Sequence, residues 1–248
     1  MHWFKFKGIS SIACNVQAES YLPEIINEES DNFIKIPGRN GSLNCGTGTL
    51  NDIMLTLNCA IKADSQDELR ILSRRVSLWL RGEGELVLWD DPKVIRRAHV
   101  YSSISMTSFD KFGRFQVKFR CQPYILGPKT QVPLNTEVLI EGSAPAVGII
   151  KGLIPAKGND LTFEIIQKGK KAAQMVFTGE VLASEEVIID TEKNLAEIGG
   201  TVANRRLTLD SRFFEVLPGK VKINAFYKVS GTLTNLSKTS FDYRPRWY

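Results

Sequence analysis

Between Phe112 and Cys121 the chain alternates strictly, and this run constrains its fold more than any other feature. Phe115, Val117, Phe119 and Cys121 fall on one side of an extended strand, with Arg114, Gln116, Lys118 and Arg120 on the other. A strand with one apolar face has to bury that face against a second layer. The segment is therefore committed to a half-buried sheet. Asp52 to Ile61 repeats the pattern, apolar at alternate positions from Ile53 onward. Met1 to Lys7 alternates too and reads as a first strand, and Glu85–Trp89 and Val94–Tyr101 are further strands.

The period changes once in this half, at Lys62-Ala63-Asp64. Ser65 followed by Glu68 fits a capping box, with Asp64 as an alternative cap. Leu69, Leu72, Val76 and Trp79 then recur at three- and four-residue spacing, which places them on one helical face. Burying these four side chains is worth about 1.5–3 kcal/mol each, so the helix is expected against a sheet. The pattern predicts a helix over about residues 65–81, closed by Gly82 and Gly84. Asp90-Asp91-Pro92 stops the next strand, and Gln122-Pro123-Tyr124 is expected to end the alternating one.

Gly127-Pro128-Lys129-Thr130-Gln131-Val132-Pro133 has the composition of an extended connector, which puts a domain border between Ile125 and Asn135. The expected domains are residues 1–130 and 131–248. Beyond the border the helical period is almost absent. Short apolar runs recur at Val138–Ile140, Val147–Ile150, Leu161–Ile166, Met175–Phe177, Glu186–Asp190, Arg206–Leu209 and Val221–Phe226. Gly169-Lys170-Lys171 reads as a hairpin turn between two of them. Short strands at regular spacing predict a β-sandwich of jelly-roll type. The fold class is mainly β in two domains.

Composition narrows the function by exclusion. The chain of 248 residues is 43% apolar and 24% charged, ordinary for a folded protein. No apolar run approaches the roughly 20 residues that span a bilayer, and the first residues lack the pattern of a signal peptide. Synthesis and folding in a cytoplasm are expected. The net charge of +5 is spread over short doublets such as Arg74-Arg75 and Arg205-Arg206 and does not form the patch of a nucleic-acid binder. Cys14, Cys45, Cys59 and Cys121 form no C-x-x-C pair, and His2 and His99 have no metal-ligand spacing. Reduced thiols, no metal and no cofactor are expected.

Candidate chemistry is equally sparse. Asp90 and Asp91 are adjacent carboxylates, but before a proline they read as turn formers rather than as a glycosidase pair. Gly38-Arg39-Asn40-Gly41 and Gly46-Thr47-Gly48 lack the lysine and the βαβ context of a phosphate cradle and read as loop or hairpin glycines. No catalytic residues are assigned. Phe241-Asp242-Tyr243-Arg244-Pro245-Arg246-Trp247-Tyr248 is rich in aromatic residues and arginine, types enriched at interfaces. It is expected to dock as a last strand or to contact a partner through Arg244, Arg246, Trp247 and Tyr248.

Several of these pieces occur in a set order: Ile36-Pro37-Gly38-Arg39-Asn40-Gly41, the helix through Trp79-Leu80, Trp89-Asp90-Asp91-Pro92, and Phe119-Arg120-Cys121-Gln122-Pro123-Tyr124. Glu186–Asp190, Phe213-Phe214-Glu215-Val216-Leu217-Pro218-Gly219 and Tyr243-Arg244-Pro245-Arg246 follow. In this order the chain resembles the distal tail proteins of long-tailed bacteriophages, the Dit family. The resemblance implies an N-terminal β-sandwich with one helix and a long hairpin, and a C-terminal galectin-like sandwich. It implies a non-enzymatic homohexameric hub ring at the distal end of the tail, single or stacked as two. The implied partners are the tail tube protein, the tape measure protein and the tail-tip protein, a tail-associated lysin or fibre hub, with DNA only in transit through the lumen and no membrane insertion. Pro37, Gly38, Arg39, Asn40 and Gly41 would then belong to a subunit interface. The rival readings are a carbohydrate-binding sandwich that attaches to the host wall and a tail-associated hydrolase.

Overall fold

The alternating strand organises the first half. The structure, a computed structural model, describes residues 2–21 and 30–248; Met1, which opens the first predicted strand, lies outside them. The strands of this half are β1 (Phe4–Phe6), β2 (Ile9–Ser10), β3 (Val16–Ser20), β4 (Phe33–Lys35), β5 (Ser42–Asn44), β6 (Ile53–Lys62), β7 (Glu83–Leu88), β8 (Ile95–Val100), β9 (Met106–Phe109) and β10 (Phe112–Leu126), with the helix α1 over Gln66–Trp79. Leaving aside β4 and β5, which pair only with each other, they form one antiparallel sheet in the order β2-β1-β7-β8-β10-β6-β3, and β9 pairs the start of β10.

That sheet closes on itself. His2, just ahead of β1, bridges Ala18 in β3, with the Ala18 N–H donating to the His2 carbonyl at 3.1 Å. The two ends of the strand order are thereby joined, and the first half obtains its facing layers by rolling a single sheet into a barrel. Phe115, Val117, Phe119 and Cys121 line the interior with Leu55, Leu57, Cys59 and Ile61 of β6, and with Phe4, Phe6, Leu86 and Leu88.

The helix enters the same core through Leu69, Leu72, Val76 and Trp79, the four residues of the predicted face. Trp79 stacks on Phe4 at 5.3 Å, and its indole N–H donates to the Phe6 carbonyl at 2.9 Å. Ser65 is the N-cap, accepting the Glu68 N–H at 3.2 Å. The Glu68 carboxylate accepts from Asp64 at 2.6 Å, so the reciprocal bond reaches one residue beyond the cap. Gly82 follows the helix with φ +76°, as a terminating glycine should. Gly84, expected to share that role, lies inside β7 against the Lys7 stem and the Phe6 ring.

Two strand ends depart from the sequence reading. Gln122-Pro123-Tyr124 does not end the alternating strand, because β10 runs on to Leu126. Its register with β8 shifts between Cys121 and Ile125, around the proline that has no N–H to give a ladder. The segment from Thr130 to Pro133 is not a bare connector but an edge strand.

The chain divides into two compact units, one comprising residues up to Leu126 together with Tyr248, the other Gly127–Trp247. The second unit is built from β11 (Thr130–Pro133), β12 (Glu137–Ile140), β13 (Gly148–Leu153), β14 (Gly158–Gln167), β15 (Lys170–Val181), β16 (Glu186–Asp190), β17 (Leu195–Ile198), β18 (Thr201–Val202), β19 (Gly219–Val229), β20 (Thr232–Asn235) and β21 (Ser237–Tyr243). One sheet runs β11-β21-β13-β16-β17-β18; the other runs β12-β19-β14-β15, with β20 also on β19. Phe163, Phe177, Ile189, Ile223, Tyr227 and Phe241 meet between them, so the second half is a sandwich.

Lys168 and Gly169, both at positive φ, form the two-residue turn between β14 and β15, one position earlier than expected. Arg206–Leu209 is not a strand. A short 3-10 turn at Asn204–Arg206 leads to Leu207, which bridges Phe177, and the Thr208 N–H donates to the Val176 carbonyl. This segment covers the outer edge of β15, which would otherwise present unpaired backbone groups.

Mainly β architecture with one helix and antiparallel sheets in two regions is what the sequence reading expected. Replacing Ser65 by Ala is expected to lower the stability of the first unit by about 1 kcal/mol, read from its thermal melt. A second prediction concerns Asp242 of β21. Burial pushes its carboxyl up, but hydrogen bonds from Lys151, Gln131 and Ser240 outweigh that and hold it below the ordinary 3.8. A depressed folded value means that the contribution is complete above the unfolded pKa and is lost as pH falls through the folded one. In an NMR titration Lys151→Met should therefore move the Asp242 midpoint upward and weaken the sandwich less at acid pH than at neutral pH.

Candidate functional site

The residues with chemical potential are dispersed. His99 is exposed on β8, in register with Glu83 and Arg120. Asp90 accepts the Tyr21 hydroxyl, and the Asp91 carbonyl receives the Val94 N–H, so the acidic pair serves a turn. Burial and the Asp90 carboxylate push the Tyr21 hydroxyl up to about 12, which keeps it a donor. All four cysteines are free, and burial raises the Cys59 thiol to about 12. Among the described residues, no three His, Cys, Asp or Glu side chains gather as a metal site. No helix of the described residues is long and apolar enough to cross a membrane.

A second kind of feature stands out in the first unit. β4 and β5 form a hairpin in the register Phe33 to Asn44, Ile34 to Leu43 and Lys35 to Ser42. Pro37 and Gly38 occupy the central positions of its turn; Gly38 has φ +81°, and the Arg39 N–H donates to the Ile36 carbonyl at 3.2 Å. A proline followed by a glycine at positive φ is the composition of a type II turn. Asn44 ties the base, its amide donating to Asp31 at 2.5 Å and its carbonyl oxygen accepting from Gly46 at 2.8 Å. Ser30 to Cys45 is exposed throughout, and that includes the predicted interface residues Pro37, Gly38, Arg39, Asn40 and Gly41.

The exposure is unusual because of what it includes. Phe33 is 63% exposed, and Ile34, Ile36 and Leu43 are also exposed. Alternation places Ile34 and Ile36 on one face of the hairpin, and the register places Leu43 opposite Ile34 on that same face. An isolated two-stranded hairpin is marginal in water, and leaving three aliphatic side chains on one face forgoes about 1.5–3 kcal/mol for each.

Near the end of α1 the barrel has a cavity of about 320 Å³. It is lined by the apolar side chains of Val76, Leu80, Val100, Ile104, Met106 and Phe115 and by Ser73, Ser77, Ser102 and Ser103. Sequence reading missed it, because its walls come from the helix, from β10 and from the connection between β8 and β9. The outward face of β10 is charged in contrast: Arg120 pairs with Asp52 at 3.1 Å, Arg114 with Glu19 at 3.3 Å, and Gln116 bonds Asn58.

The residues predicted at the C-terminal partner contact separate into two groups. Arg244 donates to the Gly127 carbonyl at 3.0 Å, and Arg246, only 12% exposed, donates to Glu192 at 2.9 Å. The Arg246 carbonyl accepts from Ser143 and Ala144, and Gly142 leaves room for that strand, since a Cβ there would lie 2.4 Å from the same oxygen. The Trp247 ring lies against Gly127 in the same way. Tyr248 is exposed, with its ring 5.8 Å from Tyr124.

The barrel with its helix and hairpin, and the sandwich that follows, each match a domain family of phage tail proteins. Residues 15–121 match the phage tail protein RIFT-related domain, and residues 141–247 match the siphovirus-type tail component, C-terminal domain. The chain belongs to the siphovirus distal tail proteins, the Dit family, and is a component of the phage tail.

Among solved structures the chain is similar to Dit of phage SPP1, described as a paradigm of hub adsorption apparatus in phages that infect Gram-positive bacteria. The TM-score is 0.81 at 12% identity, over 100% of both chains. A chain of the phage P2 baseplate in its activated conformation with calcium matches at TM-score 0.51 and 12% identity, over 98% of this chain and 97% of that one. The strontium form of that baseplate matches at the same score and identity, over 98% of both chains. No curated protein matches in sequence.

Arg246→Ala is expected to cost the sandwich about 1–2 kcal/mol in denaturant melts, with the exposed Glu192 side of the pair screened by water. Tyr248→Ala should stay within about 0.5 kcal/mol of the parent.

Proposed function

We propose that the chain is the hub ring at the distal end of a siphovirus tail. Copies close head to tail into a homohexamer, single or stacked as two. The ring joins the tail tube to the tail-tip and adhesion apparatus, contacts the tape measure protein, and lets DNA pass through its lumen. It performs no catalysis of its own and is made in the host cytoplasm before assembly.

The observation that carries this reading is the hairpin from Ser30 to Thr49. It is held together at its base by the Ser30 N–H on the Thr49 carbonyl at 2.7 Å, yet its apolar face is left exposed by the described residues. A covering surface on a neighbouring copy satisfies that face, with Pro37 to Gly41 at the turn brought into the subunit interface. The matched phage tail families and the hub named for the SPP1 protein support the same role. The wall-binding alternative is not favoured. The large apolar side chains exposed on the sandwich, Leu139, Leu182, Val202, Leu209, Leu217 and Leu233, are aliphatic and offer no ring face to stack on a sugar.

Negative-stain microscopy with light scattering on the full chain should show six-membered rings with a central hole. Replacing residues 33–44 by a short glycine-serine turn should give a monomer whose two units melt as in the parent. A parent chain that stays monomeric at high concentration, with or without the tail-tip protein, would overturn the reading.

A further inference from the structure

A ring closed by rotation joins unlike patches, one on each side of every copy. The hairpin is one of them. Resting on the ring reading, we infer that the other is the cavity at the end of α1, and that it receives Ile34, Ile36 and Leu43 from the hairpin of a second copy of this chain.

Three observations point to that occupant. The first is size. At about 320 Å³ the cavity lies at the lower limit of spaces that hold small-molecule ligands, and suits a few aliphatic side chains. The second is polarity. The lining is mostly apolar, and the polar side chains in it include the hydroxyl-bearing Ser73, Ser77, Ser102 and Ser103. A two-stranded hairpin carries a row of unpaired N–H and C=O groups along each outer edge. A serine hydroxyl both donates and accepts, so it can satisfy either kind as the apolar face goes in.

The third is contrast with three other cavities among the described residues. One beside β8 and β10 is walled by Asp52, Glu83, Glu85, Arg97 and Arg120, and another by Glu19, Arg114 and Lys118. Covering those with aliphatic side chains would strip water from ionised groups. The cavity of the sandwich unit carries Arg212 and Glu215. The cavity at α1 has a single charged residue, Arg81.

The test is cysteine cross-linking in assembled rings. Ile34→Cys and Ser103→Cys are combined in a Cys45→Ser background, because Cys45 is exposed near the hairpin. Cys59 is buried with its thiol pushed up to about 12, so it does not compete. Mild oxidation should give a ladder of covalent multimers up to the closed ring, absent from either single variant. Ser77→Trp, at an exposed lining position, should fill the cavity and lower the ring fraction at least tenfold while the thermal melt is unchanged. Rings that form normally yet give no ladder would overturn the cavity assignment and leave the hub reading intact. A disulfide confined to the monomer would show the hairpin on its own cavity and overturn it as well. Failure of the parent chain to assemble at all would overturn both.

Discussion

The inward face of β10 is the contact on which the first unit depends. Phe115, Val117, Phe119 and Cys121 are covered only because the sheet returns to cover them, and it returns because His2 and Ala18 join its two ends. Trp79 then fills the space between helix and sheet, stacked on Phe4 and hydrogen-bonded to the Phe6 carbonyl. Phe4 and Phe6 in turn meet Phe119 edge-on, at 6.2 and 5.3 Å. Closure, helix docking and the aromatic cluster are thus one packing event, and the outer face of the same strand is left free to carry charge. A closed sheet also has few unpaired edges.

Against that self-contained core the hairpin is an exception with a physical meaning. It has regular turn chemistry, a tied base and an apolar face that the described residues leave exposed. In the ring proposed above, the exposed hairpin face and the cavity at the end of α1 are the two halves of a head-to-tail contact, and assembly completes what folding leaves unburied among the described residues.

The sandwich unit is managed differently. Its long edge strand β15 is covered by the segment from Asn204 to Arg212, through the Leu207 bridge and the Thr208 and Arg212 N–H groups. The C-terminal segment is fastened by backbone bonds to Arg246 and by the Arg246 pair with Glu192. Those arginines are engaged within the chain, while Tyr248 is exposed. Arginine and aromatic content at a chain end indicates burial or partnership, and composition cannot separate the two.

What the sequence determined by itself was whatever local periodicity encodes. The strands β6 and β10, the helix face of Leu69, Leu72, Val76 and Trp79, its Ser65 cap and the mainly β class were all legible, because each is set by side chains a few residues apart. Order and spacing of the Pro37–Gly41 motif and its companions carried the family. Tertiary structure alone decided the closure through His2 and Ala18, the continuation of β10 past Pro123, the place of Gly84 in β7 and the loss of strand at Arg206–Leu209. It also decided the cavity at the end of α1 and the engagement of Arg244 and Arg246. Each of these depends on groups far apart along the chain, whose proximity is set by long-range strand pairing and not by any local pattern.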